Sequence, residues 1–216
     1  MKLFIDSAII EEIKHAWQLG IIDGVTTNPS LILKSGRRVV DVLKDIAEVV
    51  EDNISGEVIS QDAKGMVREA HELMMISPKI VIKVPMTEEG LHAVRLLSQE
   101  GIRTNVTLVF SPAQALLAAK AGATFISPFL GRLDDNKEDS LACIRDIHTL
   151  IQNYHFFTQI ICASIRSIRH IVECAKIGAD IATVPYSILV SMFHHPLTDQ
   201  GIERFLSDYA KSLQKK

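Results

Sequence analysis

Short apolar runs rich in β-branched residues alternate with longer segments of helical periodicity along the whole chain. Eight of the short runs have the composition of β-strands. The candidate strands are LFID (3–6), GVTTN (24–28), ISGEVI (54–59), IVIKVP (80–85), RTNVTLV (103–109), FISPFLG (125–131), QIICAS (159–164) and IATVP (181–185). They recur at intervals that suit repeated βα units.

The segments between the strands place apolar residues at positions i, i+3, i+4 and i+7, which is the pattern of amphipathic helices. Two of these stripes are Ile9, Ile13, Ala16 and Trp17, and Val39, Val42, Leu43, Ile46 and Val50. Ser7 and Gly20 are predicted to begin and end the first helix. Ser111-Pro112 predicts the start of a later helix, with proline at the first helical position, and Gly122 predicts its end. The polar segment 133–140 is predicted to be a solvated turn.

Eight βα units favour a closed (β/α)₈ barrel, the TIM barrel, over an open doubly wound sheet. The glycine-rich dinucleotide fingerprint of the open alternative is absent after the first strand. With 216 residues the chain has the size of one domain. The predicted α/β fold is therefore a single TIM barrel over residues 1–216. An apolar stripe in the last segment predicts an extra C-terminal helix at about 199–214.

Composition and charge narrow the possible partners and the compartment. The 23 basic and 26 acidic side chains give a net charge of −3, which argues against nucleic acid as a partner. The first 17 residues have no long uncharged apolar core, so neither a signal peptide nor a membrane segment is expected. Three scattered cysteines without a CxxC pair are typical of free thiols in a reducing cytoplasm. Dispersed histidines predict no metal site, and His194-His195 do not share a helix face.

A lysine stands inside the fourth strand, where Lys83 shares a face with Val81 and Pro85. A lysine ammonium is costly to remove from water without a partner. Polar residues stand at comparable positions, toward the carboxyl ends, in the other strands. They are Asp6, Thr26, Asn28, Glu57, Asn105, Thr107, Ser127, Ser164 and Thr183. In a TIM barrel these ends form the active-site face, so the polar side chains are expected to line one pocket.

Two interpretations of this polar face remain open. Each serine or threonine can cap the next helix, and Lys83, Glu57 and Asp6 can form a buried structural ion-pair network. The functional interpretation is that burial favours the neutral amine of Lys83, which can then attack a carbonyl and form a Schiff base. In that case Asp6 moves protons from a substrate hydroxyl, and Glu57 with Thr107 positions water.

Six stretches resemble the transaldolase family, in particular its small single-barrel branch, which includes the fructose-6-phosphate aldolase-like members. They are FIDSA (4–8), GVTTNPSLI (24–32), EVIS (57–60), IKVPMTEEGL (82–91), TNVTLVFSPAQALLAAKAGATFISPFLGRLDD (104–135) and HPLTDQGIERF (195–205). The resemblance implies a class I Schiff-base enzyme of carbohydrate metabolism and the pentose phosphate pathway. It implies a TIM barrel that works without a metal or an organic cofactor.

The resemblance also implies catalytic roles, position by position. Lys83 matches the Schiff-base lysine, and Asp6 matches the acid/base of the aldol cleavage. Glu57 and Thr107 match the residues that hold the catalytic water.

Substrate-binding roles follow in the same way. Asn28 and Asn105 match groups that bind hydroxyls of the ketose, and Arg132 matches the arginine that receives the phosphate. Ser164 and Arg166 correspond less cleanly to the phosphate side. Thr26 and Ser127 complete the set as polar strand-end residues that face the same pocket.

Glu57 and Phe129 separate transferases from aldolases within the family. The aldolase-like members have glutamine and tyrosine at these two positions, and the chain has the transferase residues. A tyrosine hydroxyl beside the iminium helps water release the bound dihydroxyacetone, which Phe129 cannot do. The resemblance therefore implies a transaldolase that uses phosphorylated sugars.

The implied reaction converts sedoheptulose 7-phosphate and glyceraldehyde 3-phosphate into erythrose 4-phosphate and fructose 6-phosphate. One alternative is a fructose-6-phosphate aldolase that releases free dihydroxyacetone. A second is a sugar-phosphate isomerase with Glu57 as base and Lys83 in an electrostatic role, and a third is a catalytically silent barrel kept for assembly. Small family members form pentamers and decamers in which the C-terminal helix reaches a neighbour, so a homo-oligomer is expected.

Overall fold

A closed barrel of eight parallel strands, ringed by helices, forms the centre of the computed structural model, which describes residues 1–214. The strands are β1 (Lys2–Asp6), β2 (Gly24–Thr26), β3 (Ile54–Glu57), β4 (Ile80–Pro85), β5 (Thr104–Val109), β6 (Phe125–Pro128), β7 (Gln159–Cys162) and β8 (Ile181–Pro185). Each strand pairs with the next in sequence order, and β8 pairs with β1 to close the barrel. The predicted TIM barrel is confirmed.

Helices follow the strands and cover the outside of the barrel. They are α1 (Ile10–Gln18), α2 (Pro29–Ser35), α3 (Val39–Val49), α4 (Ala63–Met74), α5 (Glu88–Gln99), α6 (Pro112–Ala121), α7 (Leu130–Asp135), α8 (Ser140–Asn153), α9 (Ile168–Ile177), α10 (Tyr186–Ser191) and α11 (Pro196–Leu213). The last of these is the expected C-terminal helix. No helix within residues 1–214 combines the length and the apolar composition needed to cross a membrane.

The strand register brings the predicted polar residues to one level of the barrel. Glu57 on β3 is aligned with Lys83 on β4, and Lys83 is aligned with Asn105 on β5. On the other side, Asp6 on β1 is aligned with Thr26 on β2. Because side chains alternate along a strand, residues of one parity share the interior of the barrel.

Apolar side chains fill the barrel below this polar level. A separate cluster of buried residues, distinct from the core between strands and helices, consists of Phe4, Val81, Phe125, Ile161 and Ile181. These residues stand two positions before the polar residues Asp6, Lys83, Ser127 and Thr183, or at the matching level of β7. The cluster therefore forms an apolar floor under the polar end of the barrel.

The predicted bounds of α6 are confirmed, since its capping residues are those expected from the sequence. Ser111 caps α6, since its side chain accepts a hydrogen bond from Gln114 N, and Pro112 is the first helical residue. Gly122 ends α6 with a φ of 99°, in the left-handed region that glycine tolerates.

Several boundary predictions are wrong. Ser7 does not start α1: the helix begins at Ile10, and the Ser7 hydroxyl donates to Glu12 instead. The strand predicted over 125–131 ends at Pro128, and the solvated turn predicted over 133–140 begins inside α7. Pro128 has no amide hydrogen for the strand ladder, and the buried Leu130 and Leu133 give the next segment a helical apolar face.

Candidate active site

A cavity of about 190 Å³ opens at the carboxyl ends of the strands, above the apolar floor. Most of the predicted catalytic and binding side chains line it. Its lining residues are Asp6, Thr26, Asn28, Lys83, Ser127, Phe129, Arg132, Ala163, Ser164, Arg166 and Thr183. The sequence therefore located most of the residues that meet at this end of the barrel.

Lys83 is 5% exposed and lies between two oxygen atoms from neighbouring segments. Its Nζ stands 2.9 Å from Glu57 Oε2 and donates a hydrogen bond to the backbone oxygen of Thr27 at 3.1 Å. The contact with Glu57 is an ion pair rather than a hydrogen bond, and Glu57 Oε2 has no hydrogen-bond partner within the described chain. The ion pair between Lys83 and Glu57, which the structural interpretation expects, is thus present beside the cavity.

Asp6 is held by a chain of hydroxyl groups across three strands. Thr26 Oγ1 donates to Asp6 Oδ1 at 2.8 Å, and the hydroxyls of Thr26 and Thr183 are 2.5 Å apart. Since Thr26 gives its hydrogen to Asp6, the hydroxyl of Thr183 is the donor of the second bond.

Burial raises the pKa of Asp6 above its ordinary value of 3.8, and the negative charge of Glu57 adds a smaller upward effect. The hydrogen bond from Thr26 and the positive charge of Lys83 act in the opposite direction but do not cancel the effect of burial. A carboxyl group that holds its proton more tightly than usual is suited to exchange protons with a substrate hydroxyl.

Replacing Asp6 with asparagine should stabilise the fold near neutral pH by about 1 kcal/mol, as is common when a destabilised active-site group is removed. The raised pKa means that the folded protein binds the proton more tightly than the unfolded chain, so ionisation costs stability. That cost is absent below the unfolded value of about 3.8 and complete above the raised pKa. Chemical denaturation across pH 4 to 8 should show a gain for Asp6→Asn that widens as pH rises; a constant gain would contradict the role of ionisation.

Asn105 and Thr107 lie on β5 beside Lys83 but do not line the cavity. Asn105 is fully buried, accepts a hydrogen bond from Ser127 Oγ at 2.7 Å and donates to Ser55 Oγ at 3.4 Å. Thr107 Oγ1 is buried without a hydrogen-bond partner in the described part of the chain. The next residue, Leu108, has a φ of 60°, and the pairing of β5 with β6 shifts register here. A leucine in the left-handed region stores strain, which is common beside functional sites.

Two arginines stand at the mouth of the cavity, on adjacent segments. The guanidinium carbon of Arg132 lies 5.1 Å from the centre of the Phe129 ring, in a cation–π contact. Arg166 donates from Nη2 to Asp135 Oδ2 at 2.9 Å. Ser164 also lines the cavity, so this end offers two guanidinium groups and a hydroxyl, a donor set suited to a phosphate group.

Asn28 is both a residue of the cavity lining and a helix cap, the two roles that the sequence left open for polar strand-end residues. It lines the cavity, and its side chain also accepts from Leu31 N at 3.0 Å as the cap of α2. Sequence reasoning missed the carbonyl of Thr27, because any residue type supplies a backbone oxygen. Thr183 was predicted to line the pocket as a polar strand-end residue, and it does so, but the sequence assigned it no catalytic or binding role.

A second, more apolar groove adjoins the site between α2, α3 and α4, with a volume of about 790 Å³. Glu57, which is absent from the lining of the first cavity, lines this groove together with Thr27 and Asn28. The side chains of Leu33, Ile59 and Met75 in its wall are largely exposed. The groove therefore offers an uncovered apolar surface next to the polar ends of the strands.

The cysteines do not line the cavity. Burial raises the pKa of Cys143 to about 11, and contact with Cys174 together with burial raises the pKa of Cys162. These two side chains are therefore protonated thiols at neutral pH and poor nucleophiles. Within residues 1–214, no group of three or more histidine, cysteine or acidic side chains is placed to hold a metal ion.

Comparison with known proteins identifies the family of the chain. The fold and the cavity define a (β/α)₈ barrel protein whose polar side chains meet at the carboxyl ends of the strands. The family model described as transaldolase/fructose-6-phosphate aldolase matches residues 3–216. The chain belongs to this family and is an enzyme of the transaldolase and aldolase kind.

Curated relatives match the chain over almost its whole length. A protein of Thermodesulfovibrio yellowstonii, named probable transaldolase, is 57% identical over 211 residues, which cover 98% of this chain and 99% of the relative. A probable transaldolase of Geobacter sulfurreducens is 58% identical over 209 residues, which cover 97% and 98% of the two chains. A crystal structure of 3-hexulose-6-phosphate synthase shares the fold, with a TM-score of 0.63 and 16% identity over 86% of this chain and 90% of that one.

Proposed function

We propose that the protein is a transaldolase that moves a dihydroxyacetone unit between sugar phosphates through a Schiff base on Lys83. The donor is sedoheptulose 7-phosphate, the acceptor is glyceraldehyde 3-phosphate, and the products are erythrose 4-phosphate and fructose 6-phosphate. One observation carries this proposal: a buried lysine amine, 2.9 Å from a carboxylate, lines a cavity that also contains Asp6 and two arginines.

The first step requires a neutral amine on Lys83. The carboxylate of Glu57, whose Oε2 lies 2.9 Å from Lys83 Nζ, is the nearest group that can accept the proton. The amine then attacks the ketose carbonyl, and loss of water from the adduct leaves an iminium. Thr107 Oγ1 and Glu57 Oε2 are both buried atoms with unused hydrogen-bonding capacity, which suits them to bind that water between them.

The second step breaks a carbon–carbon bond beside the iminium. Asp6 takes the proton of the substrate hydroxyl, the bond electrons move to the iminium, and the aldose phosphate leaves. The raised pKa of Asp6 makes its carboxylate a stronger base than an ordinary aspartate. The relay from Thr183 through Thr26 holds that carboxylate at one position while it gains and loses the proton. Addition of the acceptor reverses these events.

Substrate orientation is assigned to groups around the cavity. Asn28 and Ser127 at the wall, with Asn105 behind Ser127, suit the hydroxyl groups of the ketose. Arg132 and Arg166 suit the dianionic phosphate at the mouth, since guanidinium groups bind phosphate oxygens through charge-assisted hydrogen bonds.

A fructose-6-phosphate aldolase is the second candidate, because the matching family includes that activity. The difference lies in the fate of the bound dihydroxyacetone unit, which an aldolase releases to water. The apolar Phe129 favours transfer, since it adds no hydroxyl donor beside the iminium, and Glu57 is the residue that the transferases of the family carry at its position.

The test measures whether consumption of fructose 6-phosphate depends on an acceptor. With erythrose 4-phosphate present we expect sedoheptulose 7-phosphate to form, and without it almost no free dihydroxyacetone. Equal consumption with and without the acceptor indicates the aldolase instead. Interconversion of an aldose and a ketose phosphate, without any borohydride-trapped intermediate, indicates the isomerase.

We further propose a cytoplasmic homo-oligomer, a pentamer or decamer, acting in the pentose phosphate pathway. Helix α11 has no buried residue among those described, and Phe205, Leu206 and Tyr209 on it are each about two-thirds exposed or more. The apolar groove beside Glu57 is a surface of matching character on a second copy. Mass measurement by light scattering tests this assembly, and a monomer at micromolar concentration contradicts it.

A further inference from the structure

Two segments that carry the proposed phosphate ligands are joined closely by their backbones. Leu130 N donates to Ala163 O at 2.9 Å, and Gly131 N donates to Ser164 O at 2.9 Å. A methyl group on Gly131 would stand 2.4 Å from Ser164 O, closer than atoms can approach. The start of α7 is therefore fixed against the loop between β7 and α9.

The other end of α7 is joined to the same loop through a histidine. His170 Nε2 lies 2.9 Å from Asp134 Oδ2, and His170 Nδ1 accepts from the backbone N–H of Arg166 at 3.4 Å. The His170 side chain is only 12% exposed, whereas that of Arg166 is 57% exposed. These two contacts assign the imidazole a hydrogen on Nε2 and a free lone pair on Nδ1.

We propose that His170 is a positioning residue for phosphate recognition. By binding Asp134 on α7 and the backbone of Arg166 on the loop, it fixes the distance between the two arginines at the cavity mouth. His170 does not line the cavity, so it acts through Arg132 and Arg166 rather than on the substrate. This inference rests on the proposed binding of a phosphate by those arginines.

The other contact of Arg166 does not provide the same restraint. Its ion pair with Asp135 joins two side chains that are 57% and 63% exposed, and exposed pairs of this kind hold long side chains weakly. A phosphate dianion competes with Asp135 for the same guanidinium. The position of Arg166 relative to Arg132 therefore depends on its backbone, which is where His170 binds.

The test compares His170→Ala with the parent enzyme on phosphorylated and unphosphorylated donors. Loss of the hydrogen bond from the Arg166 backbone N–H to His170 predicts a KM for fructose 6-phosphate that is about five- to tenfold higher, with kcat within about twofold. For dihydroxyacetone, the donor fragment without phosphate, half-saturation of borohydride trapping on Lys83 should not change. His170→Gln keeps a donor toward Asp134 and should restore most of the loss in KM.

Controls separate this inference from the proposed function. Lys176→Ala removes an exposed ion pair from the same helix, α9, and should leave both substrates unaffected. Arg132→Ala and Arg166→Ala test the phosphate site itself, and effects that are equal on both donors overturn that site. If the arginine variants are selective for phosphate but His170→Ala is not, the positioning role alone is wrong.

If His170→Ala does not fold, a variant of Asp134, the contact partner of His170, provides the test. Asp134 is 42% exposed, so Asp134→Asn should fold while losing the charge that His170 binds. A rise in KM confined to the phosphorylated donor supports the role of His170. An unchanged KM for the phosphorylated donor in folded Asp134→Asn overturns it.

Discussion

Replacing Lys83 with methionine should abolish both turnover and borohydride-dependent labelling by fructose 6-phosphate. Loss of a nucleophile removes the covalent route, so the rate should fall by a factor on the order of 10³ or more. Borohydride reduces the iminium to a stable amine and adds a triose-derived mass to the lysine. Peptide mapping of the parent enzyme should locate that mass at Lys83.

Two companion variants make the result specific. Lys83→Met leaves Glu57 without its buried partner, a change that often costs about 3–5 kcal/mol of stability. Lys83→Arg keeps a positive charge near Glu57 but cannot supply a neutral amine, so a folded protein without label isolates the loss of the nucleophile. Lys79 is a matched control lysine, since its Nζ donates to Ala47 O and Val50 O at the opposite end of the strand. Lys79→Met should keep the label.

A label on Lys79 or Lys64 would remove Lys83 from the proposed mechanism. Turnover without any label would favour the isomerase, in which Lys83 acts only through its charge. A mass on Lys83 that corresponds to the intact hexose phosphate would leave the Schiff base in place but contradict cleavage of the carbon–carbon bond.

The barrel was predictable because each strand is a short apolar run rich in β-branched residues, and the strand–helix unit recurs eight times along the chain. IVIKVP was predicted with its observed bounds, 80–85, since an apolar β-branched run that ends in proline has few alternatives. The strands that end in polar residues were predicted too long, as in β2 and β7. Their last residues turn toward the cavity or the next helix, and this depends on neighbouring strands rather than on local composition.

The candidate site was predictable where a side chain contradicts its surroundings, as Lys83 does inside an apolar strand. The contacts that orient those side chains were not predictable. The Thr27 carbonyl has no residue-specific signal, and the contact of Asp134 with His170 joins positions that only the closed barrel brings together. The alternation of side chains along a strand predicts which of them face the barrel interior. The hydrogen-bond or ion-pair partner of each side chain depends on the strand register, which the sequence does not show.

Phe129 lies where a single added hydroxyl should change the reaction. Its ring lines the cavity with Lys83 and Asp6, packs edge-on against Phe110 with ring centres 5.8 Å apart, and supports the guanidinium of Arg132. A tyrosine keeps the ring face for Arg132 and adds a hydrogen-bond donor near the iminium. The new hydroxyl costs about 1–3 kcal/mol if it finds no partner.

Phe129→Tyr should therefore release free dihydroxyacetone from fructose 6-phosphate about tenfold faster than the parent enzyme when no acceptor is present. A tenfold gain corresponds to about 1.4 kcal/mol, the size of one hydrogen bond to the water that attacks the iminium. Transfer to erythrose 4-phosphate should decline, because hydrolysis consumes the bound unit first. Adding Glu57→Gln should increase release further, and Phe110→Tyr, which places a hydroxyl outside the cavity lining, should not. If neither change at Glu57 or Phe129 raises acceptor-free release in a folded protein, these two residues do not decide between transfer and hydrolysis.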